Sequence, residues 1–104
     1  MRRGEVRWYR VTKPDKRKLV VVLTRDSALE FLGEVTVAPV TTRRRGLATE
    51  VVLTTQEGMP KDCAIDLDSM ATIEKAVLTN RICELSGEKK AQVHRAIRFA
   101  LDLP

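Results

Sequence analysis

The sequence predicts a mainly β fold ending in a C-terminal α-helix, with the strands closed into a small barrel or a strongly curled sheet. Three observations lead there. Short runs that alternate, or that are almost wholly β-branched, recur at close spacing over the first 85 residues, as they do in small barrels. Gly, Pro and Asp separate them. From Ser86 onward the apolar period changes to about four, the helical repeat. A parallel α/β layout is disfavoured because crossover helices are missing.

Each element has its own reason. "EVRWYRV", residues 5–11, alternates Val6, Trp8 and Arg10 against Arg7, Tyr9 and Val11, and reads as the first strand. "TKPDK", 12–16, is a turn with Pro and Asp in favourable order. "LVVVLT", 19–24, is nearly all β-branched or apolar, so it is a buried strand. "DSALEFL", 26–32, reads as a short helix capped at Asp26 or Ser27 and ended by Gly33. "EVTVAPV", 34–40, alternates again, and Pro39 places it at an edge or a bulge. "LATEVVLTT", 47–55, is a strand and "QEGMPKD", 56–62, a loop. "CAIDLDSM", 63–70, and "RICEL", 81–85, resume strand character. Ser86 caps the terminal helix, whose stripe is Val93, Ile97, Ala100 and Leu101.

The chain has 104 residues, which favours one domain over 1–104. About 60–70% of the unfolded surface can be buried at this size, so dimerisation would help a modest core. Lys and Arg number 19 against 14 acids, a net charge of +5. That balance suits nucleic acid, an anionic membrane or an acidic protein, and also plain solubility; only clustering chooses. Cys63 and Cys83 form no CxxC pair, which excludes the usual zinc pattern. Two reduced thiols are expected. "MRRGEVRWYR" has no apolar h-region, and no run approaches 18 apolar residues. Neither a signal peptide nor a membrane span is expected, and the cytoplasm is the default location.

Several chemistries lack parts. The one histidine, His94, lies on the terminal helix with no G-x-S-x-G partner. Asp62, Asp66 and Asp68 could be weighed as a Mg²⁺ site, but a solvated or backbone-capping role is commoner, so no metal or other cofactor is expected. No Gly-rich loop points to nucleotide hydrolysis. RNA cleavage asks for less. The ribose 2′-OH already lies beside the scissile phosphate, so fixed cations and hydroxyl donors suffice to stabilise the transition state. Two basic clusters adjoin strand ends: Lys13, Lys16, Arg17 and Lys18 in "KPDKRK", and Arg43, Arg44 and Arg45 in "VAPVTTRRRG". The second follows Thr41 and Thr42. Either cluster alone reads as solvated turn charge; both at strand ends favour anion binding.

In order, "RRGEVRW", "RKLVVVLTRD", "VAPVTTRRRGLATEV", "GMPKDCAIDLDSM" and "LTNRICELSGEK" resemble the MazF/PemK family of toxin endoribonucleases. The resemblance implies a small SH3-like barrel of the MazF/PemK/CcdB type, usually a homodimer. It implies metal-independent, sequence-selective cleavage of single-stranded RNA, leaving a 2′,3′-cyclic phosphate and a 5′-hydroxyl. It also implies a cognate antitoxin whose flexible acidic segment covers the groove. The family threonine maps onto Thr41. The family arginine maps onto Lys18, with Leu19 in the place of the following proline and Arg17 one residue early. Either Lys18 supplies a point charge, or Arg17 reaches in from a bulge. Thr42, Arg43, Arg44, Arg45, Lys13 and Lys16 would hold neighbouring phosphates or orient a base. Trp8 and Tyr9 are stacking candidates, Trp8 being the better core candidate of the two. Two other readings stand beside this one: a weak or inactive barrel that only binds nucleic acid or antitoxin, and a gyrase-poisoning relative. The latter carries a Trp-Gly-Ile tail, whereas this chain ends "FALDLP".

Overall fold

The second strand shows how the chain builds its interior. Val20 and Val22 point to one apolar cluster, with Leu29, Val35, Val37 and Leu78. Val21 points to the other, with Val6, Ala38, Leu53, Ile65, Leu67, Val93 and Ala96. Successive side chains on a strand face opposite ways. An unbroken Val-Val-Val run is therefore what a strand covered on both faces requires.

The computed structural model describes residues 1–10 and 17–104. The elements in chain order are β1 (Glu5–Arg10), β2 (Arg17–Val22), α1 (Asp26–Leu29), β3 (Glu34–Thr41), β4 (Glu50–Leu53), β5 (Cys63–Asp66), β6 (Ala71–Glu74), β7 (Leu78–Glu84) and α2 (Gly87–Ala100). The sheet runs β4-β5-β3-β2-β1-β7, with β6 also on β3, and every pairing is antiparallel. The result is a curled half-barrel with α2 packed against β4 and the turn after β5. The mainly β class with a terminal helix is as expected. The turn at 12–16, with Lys13 and Lys16, lies outside the described residues.

Several boundaries differ from the sequence pattern. β3 is a central strand over most of its length but a local edge at Pro39, as expected there: β6 pairs with Glu34–Val37 and β5 with Val40–Thr41 on one side, leaving Pro39 paired with β2 alone. The helix at 26–32 stops at Leu29, and Asp26 accepts the Arg3 amide at 2.6 Å instead of capping it. β4 starts only at Glu50, and the stretch after Asp66 turns as a 3₁₀ segment, Leu67–Ser69. Residues 71–80, to which the pattern assigns nothing, hold β6 and the start of β7. Ile73 is the only part-buried side chain of β6, so its apolar signal is faint.

Ser86 does cap α2, accepting the Lys89 amide at 3.2 Å. The buried face of α2 is Val93 and Ala96, with Ile97 and Ala100 beside them. Leu101 falls past the last turn and is 55% exposed. Buried polar groups are paired: Glu5 takes the Arg2 amide and the Arg7 and Arg81 guanidiniums, and Thr49 donates to Asp68 at 2.6 Å. Among the described residues no helix is long and apolar enough to cross a membrane.

Leu53 is fully buried. Leu53→Ala should therefore lower the unfolding free energy in urea by about 2–5 kcal/mol. Leu101→Ala should change it by about 0.5 kcal/mol or less; a large loss there would return Leu101 to the core.

Candidate nucleic-acid cleft

A cleft opens where two neighbouring strands part. β2 and β3 pair at Val22–Val37, Val21–Ala38 and Val20–Pro39, and the ladder stops there. Leu23 N–H donates to Thr36 O, and alternation along the ladder makes Val20–Pro39 a non-hydrogen-bonded pair, so the absent Pro39 N–H costs the β2–β3 ladder nothing. Beyond this point β2 stays with β1, through Trp8–Leu19, Tyr9–Lys18 and Arg10–Arg17. β3 stays with β5, through Val40–Ile65 and Thr41–Ala64. Each strand follows its other neighbour, and a wedge of about 400 Å³ is left between them.

Buried and half-buried Leu19, Val40, Met59 and Cys63 give the wedge apolar lining. Arg17, Lys18 and Lys61 bring three cations, Thr41 and Thr42 two hydroxyls, and Trp8 an aromatic face. No carboxylate appears among these lining residues. A larger hollow of about 630 Å³ lies elsewhere, bordered by Leu23, Leu32, Met70 and Ile97. Its cation, Arg25, has Glu34 beside it in the lining, so size and chemistry point to different places. The concentration of positive charge favours the smaller wedge.

Strand alternation sorts the cations. Lys18 is two residues from Val20, and Thr41 two from Pro39, the partner of Val20. Lys18 and Thr41 thus share one face of the sheet, while Arg17, Leu19 and Val40 share the other. The β1–β2 ladder is regular down to Arg17. Arg17 enters the lining without a bulge, because a wedge between parting strands is bordered from both faces. Its guanidinium carbon lies 4.9 Å from the centre of the Trp8 ring, within cation–π range. Tyr9, not Trp8, packs against an apolar cluster, reversing the order expected for the pair.

The Thr41 hydroxyl oxygen accepts the Arg43 amide at 3.1 Å. A hydroxyl carries one proton and two lone pairs, so this contact orients the group and leaves the proton to donate. Arg43 and Arg44 are exposed and, among the described residues, make no ion pair. Arg45 is different. It faces Glu50 at 3.5 Å and Asp66 at 3.6 Å, so it braces the loop where phosphate contact was expected.

Glu50 anchors that loop, and the sequence pattern did not single it out. Its carboxylate accepts the amides of Arg45, Gly46 and Leu47 at 2.9, 3.0 and 3.4 Å. Gly46 takes a positive φ of 70° there, open to glycine without penalty. The available signal was a lone acid four residues beyond Gly46 in an otherwise basic stretch. Lys61 was likewise missed: it sits in a loop far along the chain.

Asp66 and Asp68 have structural employment. Asp66 accepts the Asp68 amide and the Ser69 hydroxyl, and Asp68 takes the Thr49 hydroxyl. Among the described residues no group of three His, Cys, Asp or Glu could hold a metal. Burial pushes the Cys63 thiol up, and the nearby charge of Asp62 adds to it. Burial does the same to Cys83. Neither is a ready thiolate, and His94 is exposed on α2.

These features define a class: a small curled β-barrel protein with a cationic, hydroxyl-bearing wedge at a strand end. The family model for PemK-like, MazF-like toxins of type II toxin–antitoxin systems matches residues 2–101. The chain belongs to that family. It is 41% identical to a protein of Mycobacterium tuberculosis named probable endoribonuclease MazF5, over 96% of this chain and 92% of that one. The solved structure of Mycobacterium tuberculosis toxin MazF-mt6 superposes with a TM-score of 0.88 at 33% identity, covering 96% of this chain and 98% of that one. A mycobacterial endoribonuclease solved in complex with its cognate antitoxin superposes at 0.88 over 100% of this chain and 97% of that one. At 20% identity it shares the fold.

Burial raises the carboxyl pKa of Glu5 and of Glu50, but the amide and guanidinium hydrogen bonds win, and both end below the ordinary 4.5. A depressed carboxylate adds stability above its unfolded pKa and loses it as pH falls through the folded value. The urea midpoint should hold from neutral pH down to about 5 and then fall. Glu50→Gln should flatten that fall; an unchanged pH profile would show that the loop amides do not depend on the charge.

Proposed function

We propose that the wedge cuts single-stranded RNA, and that Lys18 and Thr41 act on one scissile linkage. The observation that carries this reading is their common face at the mouth of a carboxylate-free cleft. The ribose 2′-oxygen attacks phosphorus, and the bond from phosphorus to the 5′-oxygen breaks. A 2′,3′-cyclic phosphate and a 5′-hydroxyl result. The 2′-OH proton leaves during attack, and the departing 5′-oxygen takes one up. The Lys18 ammonium offsets charge growing on the non-bridging oxygens, and the Thr41 hydroxyl donates to one of them. No step uses a metal. An ammonium lacks the paired donors of a guanidinium, so Lys18 in the family arginine position favours a slower enzyme.

Arg43 and Arg44 then hold phosphates beyond the wedge; Lys13 and Lys16, outside the described residues, precede Arg17 in the sequence and are further phosphate candidates. A basic groove on a +5 protein suits an antitoxin with a flexible acidic segment that competes with RNA. The exposed apolar side chains Leu32, Phe99 and Leu103 support a homodimer. We place the activity in the cytoplasm, where single-stranded transcripts are exposed.

Cleavage of a mixed RNA pool tests the pair. Thr41→Ala and Lys18→Ala should each lower kcat/KM about 10²- to 10³-fold, and chelator should leave the wild-type rate unchanged. Full activity in both variants removes the assignment. Binding of an uncleavable single strand should follow a log–log salt slope of about −3 to −4, for four to six phosphate contacts. Arg43→Ala or Arg44→Ala should each flatten it by about 0.7. Arg45→Ala should chiefly lower the melting temperature.

A further inference from the structure

We propose that Arg17, set over the Trp8 ring, is the stacking platform for a base adjoining the scissile linkage, a positioning and specificity role distinct from that of its neighbour Lys18. The proposal rests on the RNA-cleavage reading of the wedge. Adjacent residues on a regular strand project to opposite faces, so Lys18 and Arg17 enter the wedge from different sides. Lys18 goes to the Thr41 face. Arg17 goes to the Trp8 face, diagonally across the β1–β2 ladder, where a long side chain can reach an aromatic one.

Three features make Arg17 more than a solvated charge. Its guanidinium carbon lies over the indole, 4.9 Å from the ring centre, which restricts a side chain that would otherwise sample many rotamers. It has no carboxylate partner among the described residues, so its charge is not spent on the fold. It is exposed while Trp8 is half-buried, so the guanidinium keeps solvent-facing surface beside the cleft. A planar cation set over an aromatic ring and still open to solvent is suited to a nucleobase, which stacks on guanidinium planes as it does on aromatic rings. Thr42, just past the end of β3 and also in the lining, offers a hydroxyl for the edge of such a base.

The test uses the whole protein and a short single-stranded RNA bearing the site identified from the pool digest. The same oligonucleotide is made with the base removed at each nucleotide adjoining the cut. In wild type, one of the two base-free substrates should raise KM about tenfold. Arg17→Ala should raise KM on the intact RNA by a similar factor, keep kcat within about threefold, and lose the response to base removal. Arg17→Lys keeps the charge without the plane and should behave like Arg17→Ala. Rescue by Arg17→Lys, or a base-removal effect that persists in Arg17→Ala, overturns the platform. Collapse of kcat in Arg17→Ala with kcat preserved in Lys18→Ala overturns the division of labour.

Trp8 is the single tryptophan, so its fluorescence reports independently of turnover. Titration with an RNA whose scissile 2′-OH is replaced by hydrogen should quench it, and the base-free version should quench it far less. If the wild-type protein cuts no RNA, the cleavage reading fails on its own. This titration still decides the platform: base-dependent quenching supports it, and equal quenching by both oligonucleotides overturns it.

Discussion

The wedge depends on one constraint: β2 and β3 stop pairing at Val20–Pro39 while each keeps its other neighbour. Pro39 is tolerated because its nitrogen faces away from β2, toward the gap between the β6 pairing, which ends at Val37, and the β5 pairing, which begins at Val40. Past it β3 follows β5 while β2 follows β1, and the sheet opens between them. The cost is small, because the lost pairings are at a strand terminus. The gain is a cavity lined from both faces of a sheet, a geometry that a continuous ladder cannot offer. Apolar Leu19, Val40, Met59 and Cys63 line it without carboxylates, and the exposed cations Arg17, Lys18 and Lys61 stand at its mouth.

Much of this was legible in the residues, and the exceptions have physical reasons. The Val-Val-Val run of β2 announced burial on both faces. The Ser86 cap and the apolar spacing behind it announced α2. Leu101 fitted the spacing but not the helix, which ends before it. Pro39 announced an irregularity, yet its kind depended on β5 and β6, strands far along the chain. Trp8 shares a face with Val6 by parity, so parity made it a core residue. It sits where the sheet has begun to open, however, and stays half-buried with the Arg17 guanidinium over its ring. Tyr9, on the opposite face, meets Val20 and Leu78 instead.

The site shows the same division. Thr41 was readable because local sequence carries it: a hydroxyl at a strand end, followed by arginines. The faces that Lys18 and Arg17 take were not, since adjacent cations differ only in the side they project to, and that depends on ladder register. Arg45 looked like its two neighbours until Glu50 and Asp66 were seen around it. Lys61 carried no local signal at all. Residues that act through neighbours in sequence could be found early; those that act through neighbours in space could not.

The Glu50 carboxylate grips the loop through main-chain amides of residues 45 to 47, and main-chain groups are the same whatever side chain is attached. Positions 43 and 44, just upstream, can therefore exchange one side chain for another with little consequence for how the loop is built. A scaffold of this kind separates the evolution of preference from the evolution of folding: new reading heads can be tried at the tip while the hinge pin stays in place.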